Sequence, residues 1–325
     1  MPMAIISNCT ASIIKDAALA LKEGHLVAFP TETVYGLGAD ATNEKAVARI
    51  YEVKGRPTDH PLIVHISTME LMDKWASEIP EYAIKLARAF WPGPMTLILP
   101  KTDLAKDFIT GGQDNVGLRV PSHTAAQALL KEFEAIGGEG IAAPSANRFG
   151  AVSPTSAGAV ELELINYLYL SDQILDGGNC DVGIESTIID CTGKTPRVLR
   201  PGAITREMIE KDTGVLVKDN LVTSSSYQIK APGLLESHYA PKAKVILNGE
   251  SANGDGFIAL SSIPTPTGAI RLAAPSSSEE FARVLYQALR AADKLSLQNV
   301  HVVLPSPDGI GAAINDRLSK AAFRG

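Results

Sequence analysis

His25-Leu26-Val27-Ala28-Phe29-Pro30-Thr31-Glu32-Thr33-Val34-Tyr35-Gly36-Leu37-Gly38-Ala39-Asp40-Ala41-Thr42 decides how the first half of the chain is read. Leu26 to Phe29 is a short apolar run that Pro30 ends, which predicts a buried strand. The residues from Thr31 to Thr42 are rich in hydroxyl and small side chains and read as a loop. Loops leaving strand ends are common ligand sites, and glycine lets backbone approach a ligand closely. Gly36-x-Gly38-x-x-Ala41 superficially matches a dinucleotide fingerprint. That fingerprint needs its first glycine directly after a strand, and here Pro30 and five more residues intervene. No GxxxxGK[ST] occurs, so a P-loop is excluded.

Working outward, residues 11–23 carry apolar side chains at helical spacing and Gly24 follows as a stop. Asn43 caps a predicted helix through about Val53, with Ala46, Val47, Ile50 and Tyr51 on one face. Prolines 57 and 61 forbid its continuation. PLIVHI, MTLILP, VGLRVP and the start of IAAPSANRFG read as strands, and 80–91, 124–133 and 155–164 as helices. QILDGG, STIIDC and PRVLRPG are three more short strands, and 205–214 is a capped helix ending in glycine. This alternation predicts an α/β domain over 1–212. The stretch 213–242, with its Thr-Ser-Ser-Ser string and two prolines, reads as a linker. KVILN, GFIAL and VHVVLP, with helical patterns at about 279–295 and 309–323, predict a small second α/β domain over 243–325.

The chain has 325 residues, 45% hydrophobic and 20% charged, which is ordinary globular composition and enough to bury a large core. Its net charge of −6 argues against a surface built mainly to grip nucleic acid. Cys9, Cys180 and Cys191 are odd in number and lack CxxC spacing, so they read as reduced thiols. The N-terminus lacks a signal-peptide pattern, and no run approaches the ~18 apolar residues of a membrane span. The expectation is a cytoplasmic protein.

Its unusual chemistry is concentrated in a few strings. In Lys54-Gly55-Arg56 two cations could face one anion if the segment is extended; alternatively they are helix-end cations favoured by the dipole. Ser145 and Asn147, in PSANRFG, supply neutral hydrogen bonds, and Ser153 stands near the next helix, where simple capping is the alternative. Gly183-Ile184-Glu185-Ser186-Thr187 is a further polar cluster at a strand start. Arg119 and Arg200 lie inside apolar strands and require partners, either a ligand or a structural salt bridge. His65 is by default a hydrogen-bonded core histidine. There is no HExxH, no GxSxG and no metal-ligand cluster.

Taken together, FPTETVYGLGADA, YEVKGRPTDHPLIVHI, FWPGPMTLIL, VGLRVP, APSANRFG, GIESTIID and VLRPGAI, in this order, resemble the YrdC-like domain of the threonylcarbamoyl-AMP synthase family. APGLLESHYAPKAKV resembles the linker of its long, two-domain form. The resemblance implies a YrdC-like twisted open sheet flanked by helices, plus a small C-terminal Rossmann-like α/β domain. It implies synthesis of L-threonylcarbamoyl-AMP and pyrophosphate from L-threonine, bicarbonate and ATP, with magnesium accompanying ATP and no protein ligand assigned to it. Downstream partners would be the enzymes that pass the threonylcarbamoyl group to tRNA. Residue by residue, it implies Lys54, Arg56, Ser145 and Asn147 as the catalytic tetrad. Thr33, His65, Arg119, Ala143 and Ser186 would line the threonine side. Arg56, His60, Ser145, Ser153, Arg200 and Tyr239 would contact ATP, and the linker around His238 and Tyr239 would form a lid. The family has asparagine at the position of His60, and its linker often begins Ser-Pro-Gly where this chain has Ala231-Pro232-Gly233. Two other readings make opposing predictions: a non-enzymatic RNA-binding relative, and a nicotinamide-dependent oxidoreductase resting on Gly36 and Gly38.

Overall fold

A computed structural model describes residues 5–217, 229–233 and 238–323. The first unit comprises β1 (Ile5–Asn8), α1 (Ala11–Lys22), β2 (Val27–Phe29), β3 (Gly36–Asp40), α2 (Glu44–Lys54), β4 (Ile63–His65), α3 (Met72–Trp75), α4 (Glu81–Phe90) and β5 (Met95–Pro100). It continues with α5 (Asp107–Thr110), β6 (Asn115–Arg119), α6 (Thr124–Ala135), β7 (Ile141–Ala142), α7 (Ala157–Leu164), β8 (Gln173–Asp176), β9 (Thr187–Asp190), β10 (Arg197–Arg200) and α8 (Arg206–Thr213). The strands form one mixed sheet in the order β1-β8-β2-β3-β7-β4-β6-β5-β9-β10.

Residues 36–40 correct the sequence reading. They are a strand, not part of a loop: β3 pairs antiparallel with β2 on one side and with β7 on the other. Gly38 suits that position because its two strand neighbours are bulky. A Cβ there would stand 2.8 Å from Ile141 Cγ2 and 2.9 Å from Phe29 Cε1. The glycines thus serve sheet packing, and the fingerprint reading loses its basis.

Alternation across the sheet separates two cores. Val27, Phe29 and Ile141 face a cluster with Ile14 and Leu21 of α1 and Leu129 and Phe133 of α6. Ala28, Leu37 and Ala39 face the larger cluster with Val47 and Ile50 of α2 and Leu86 of α4. Local signals set the helix ends: the Asn43 side chain accepts from Ala46 N, and Thr205 accepts from Met208 N before a left-handed Gly214.

The second unit is a Rossmann-like parallel sheet. It contains β11 (Lys244–Leu247), β12 (Gly256–Ile258), β13 (Ile270–Ala273), α9 (Ser278–Lys294), β14 (Asn299–Val302) and α10 (Gly311–Ala322), with strand order β11-β14-β12-β13. Its core is not closed on itself. Phe281, Leu285, Ile314 and Leu318 pack in one apolar cluster with Val34, Val152 and Ile184 of the first unit and with Tyr239. The linker stretches 218–228 and 234–237 lie outside the described residues.

Candidate active site

Lys54 is the last residue of α2, and the backbone reverses directly after it at Gly55, whose φ is +61°. Of the two sequence readings, an extended Lys-Gly-Arg segment or a helix end, Lys54 matches the helix end. The structure uses a left-handed helix cap, which favours glycine because it has no Cβ. The cap is braced from outside. Arg148 Nη1 donates to Val53 O at 2.6 Å, and Phe149 N donates to Lys54 O at 2.7 Å. The helix end and the 144–150 loop are therefore one assembly.

Lys54 points inward, and its ammonium donates to the carbonyls of Ser145, at 2.6 Å, and Asn147. Arg56 donates through Nη2 to Pro61 O at 3.0 Å and lies over the Phe149 ring at 5.7 Å. Burial, with Arg56 adding repulsion, drives the Lys54 ammonium well below the usual lysine range. Burial also lowers Arg56, to about 10. Arg200 is lowered too, by burial first. Cations held in this state gain from a nearby anion, because neutralisation relieves both desolvation and mutual repulsion.

One chamber brings together Thr33, Lys54, Arg56, His65, Arg119, Ala143, Ser145, Asn147, Ser186, Arg200, His238 and Tyr239. His60 and Ser153 are not on its lining. The His60 ring stands edge-on to Phe149, 5.4 Å between centroids, and its backbone carbonyl accepts from Arg56 Nε. Ser153 is fully buried behind the wall, where Oγ donates to Glu185 Oε1 at 2.6 Å.

On β4, Ile63 and His65 alternate onto the chamber side together. Burial, then Arg119, pushes the His65 imidazole down to about 3, so it works as a neutral hydrogen-bonding group. Arg119 ends β6 and pairs with the buried Glu32 at 2.7 Å. It is a guanidinium already fixed on one edge, not a free cation. Ser186 Oγ shares a 2.8 Å hydrogen bond with Thr96 and accepts from Arg200 Nη2 at 3.2 Å. Four buried polar atoms of the lining residues lack a protein partner: His65 Nδ1, Asn147 Oδ1, His238 Nδ1 and Tyr239 OH. Buried polar groups are normally satisfied, so orphans gathered around one chamber point to a polar ligand.

Comparison with known proteins identifies the family. A family model described as telomere recombination matches residues 19–202, and one described as threonylcarbamoyl-AMP synthase, C-terminal domain, matches 204–323. The chain is 41% identical to the threonylcarbamoyl-AMP synthase of Pyrococcus abyssi, over 98% of each chain. It is 39% identical to that of Bacillus subtilis, over 95% of this chain and 92% of the relative. The chain belongs to the threonylcarbamoyl-AMP synthase family. The crystal structure of P. abyssi Sua5 complexed with L-threonine superposes with a TM-score of 0.86 at 40% identity, covering 98% of this chain and 97% of that one.

Within this synthase family member, sequence reasoning missed several residues that shape the chamber. Glu32 and Glu185 sat in quoted strings without a role, Phe149 was not seen as a platform under Arg56, and Tyr286 and Arg317 were not singled out. Each acts through a partner far along the chain, which local pattern cannot reveal. The residues do not fit a protein-held metal. Among the described residues no group of three His, Cys, Asp or Glu is placed to hold an ion, and Glu32 and Glu185 are both committed to arginines.

Proposed function

We propose that this chain makes L-threonylcarbamoyl-AMP and pyrophosphate from L-threonine, bicarbonate and ATP, for threonylcarbamoyladenosine modification of tRNA. The observation that carries it is a single chamber lined by four buried cations, Lys54, Arg56, Arg119 and Arg200, together with the polar side chains of Thr33, His65, Ser145, Asn147 and Ser186.

In this reading Arg119, fixed by Glu32, takes the threonine carboxylate, and neutral His65 with the Thr33 and Ser186 hydroxyls orients the rest. The amine of threonine forms a bond to the bicarbonate carbon, and water leaves, to give a carbamate. A carbamate oxygen then attacks the α-phosphorus of ATP, and the bond to the departing pyrophosphate breaks. Transfer of this kind needs positioning and charge neutralisation, and no protein nucleophile. Lys54 and Arg56 stabilise charge on the phosphates, while Ser145 and Asn147 hydrogen-bond the transferring group. Magnesium arrives on the triphosphate; no protein ligand is assigned to it and no step runs through it. His238 and Tyr239, on the linker, close the chamber against water.

The test is pyrophosphate release. It should require ATP, threonine and bicarbonate together. Absence of pyrophosphate, combined with tight RNA binding of steep salt dependence, overturns the enzyme reading in favour of an RNA-binding one.

A further inference from the structure

Glu185 is the one carboxylate on the chamber lining among the described residues, and it is buried where the Arg200 charge acts on it. Opposite charges in a desolvated chamber should pair. They do not: among the described residues the partners of Arg200 are uncharged. Its Nε and Nη2 donate to Ser186 O at 3.1 and 2.9 Å, and Nη1 donates to Pro232 O at 3.0 Å. Glu185 is held instead from behind, by the C-terminal unit. Arg317 Nε of α10 donates to Oε2 at 2.8 Å, and Tyr286 OH of α9 donates to Oε2 at 2.9 Å. Ser153 completes the set on Oε1.

We propose that Arg317 and Tyr286, neither of which lines the chamber, are positioning residues for the anionic substrate: they hold the Glu185 carboxylate away from Arg200, leaving that guanidinium available to the phosphates. Arg317 is fully buried, and it is itself fixed by Asp316 at 2.6 Å and by Pro201 O at 3.0 Å, next to Arg200. One turn further along α10, Lys320 Nζ donates to Gly233 O at 2.8 Å, next to the Pro232 carbonyl that Arg200 holds. The same helix face therefore fixes the carboxylate and the linker turn. Without Arg317, Glu185 keeps two hydroxyls, and Arg200 is the chamber cation whose charge acts on it. Pairing between those two would cancel a positive charge that the phosphates need and would pull Arg200 off Ser186 and Pro232.

The proposal rests on the reading that the chamber takes ATP, and calorimetric binding of ATP to the full chain tests the two separately. Wild-type protein binds ATP. Arg317→Met weakens it by ~10-fold or more, since breaking a buried pair leaves an uncompensated charge. Adding Glu185→Gln removes the competing carboxylate, so the double variant returns to within ~3-fold of Glu185→Gln alone. A role for Arg317 that does not run through Glu185 predicts no such recovery. Tyr286→Phe keeps the ring packing and weakens ATP by about 3-fold, again relieved by Glu185→Gln. Thermal melting checks that each variant folds. Unchanged affinity in Arg317→Met, or a double variant as weak as Arg317→Met, overturns the proposal. If Arg317→Met does not fold, unchanged affinity in Tyr286→Phe overturns it. Wild-type protein that fails to bind ATP refutes the functional reading itself and takes the proposal with it.

Discussion

Replacing Gly55 by alanine tests how the chamber is built. Gly55 sits at φ +61°, a left-handed conformation that costs an L-residue about 1–2 kcal/mol. A Cβ there would also stand 2.7 Å from Arg148 Nη2. That atom is the end of a flexible side chain, so Arg148 would swing out rather than the backbone break. Swinging out gives up its bond to Val53 O, a charged hydrogen bond of about 1.5–3 kcal/mol. The sum is about 2.5–5 kcal/mol, and at about 2–4 °C per kcal/mol the midpoint should fall by roughly 5–20 °C. Turnover should fall further than stability at assay temperature explains. Lys54 and Arg56 flank the turn, and a misplacement near 1 Å can cost ~100-fold. Calorimetry and pyrophosphate release on the same preparation read both effects. Arg148→Ala supplies the control: the two substitutions should be sub-additive in stability, because they lose the same bond. A Gly55→Ala protein with wild-type midpoint and turnover would refute the claim that this cap sets the two cations.

Lys54→Met strips the Ser145 and Asn147 carbonyls of their shared donor and should cut turnover by ~100-fold or more; wild-type rates would remove Lys54 from the site. Arg56→Ala should cripple catalysis with a smaller effect on folding, read as pyrophosphate release against melting temperature. His65 and His238 are both pushed down to about 3, by burial first. The unfolded chain binds protons there that the folded one does not, so stability should fall as pH drops below about 6.5, by up to ~1.4 kcal/mol per pH unit for each group. A melting temperature flat from pH 7 to 4 would contradict this. Glu185 runs over a lower window. Burial raises its carboxyl, but Arg317 and Arg200 outweigh burial and set it at about 2. Its contribution is present above about 4.5 and is lost as pH falls toward 2. Glu185→Gln should therefore flatten the acid limb of the melting curve.

What could be read from sequence was local chemistry. Asn43, Thr205 and Gly214 announced helix ends because caps use neighbouring residues only. The strand Gly36–Asp40 was misread because glycine and alanine have no strand signature of their own. Their reason is Phe29 and Ile141 on the neighbouring strands, visible only once the sheet forms. The chamber divides in the same way. Lys54, Arg56, Ser145 and Asn147 stood out in short polar strings, and they do converge. The charges that tune them did not stand out. Glu32 meets Arg119 across 87 positions, and Glu185 meets Arg317 across 132. Partners at such separations are set by the sheet and by the docking of the second unit, not by local pattern.

In the proposed reaction one chamber joins threonine, bicarbonate and the adenylate of ATP in a single molecule. The most direct measurement uses purified protein with carbon-labelled bicarbonate, labelled threonine and ATP labelled at the α-phosphate, and counts the labels in the product. All three labels should appear in one species in equal amounts, formed together with pyrophosphate. A labelled adenylate that carries threonine but no bicarbonate carbon, or one that forms without threonine, would contradict it.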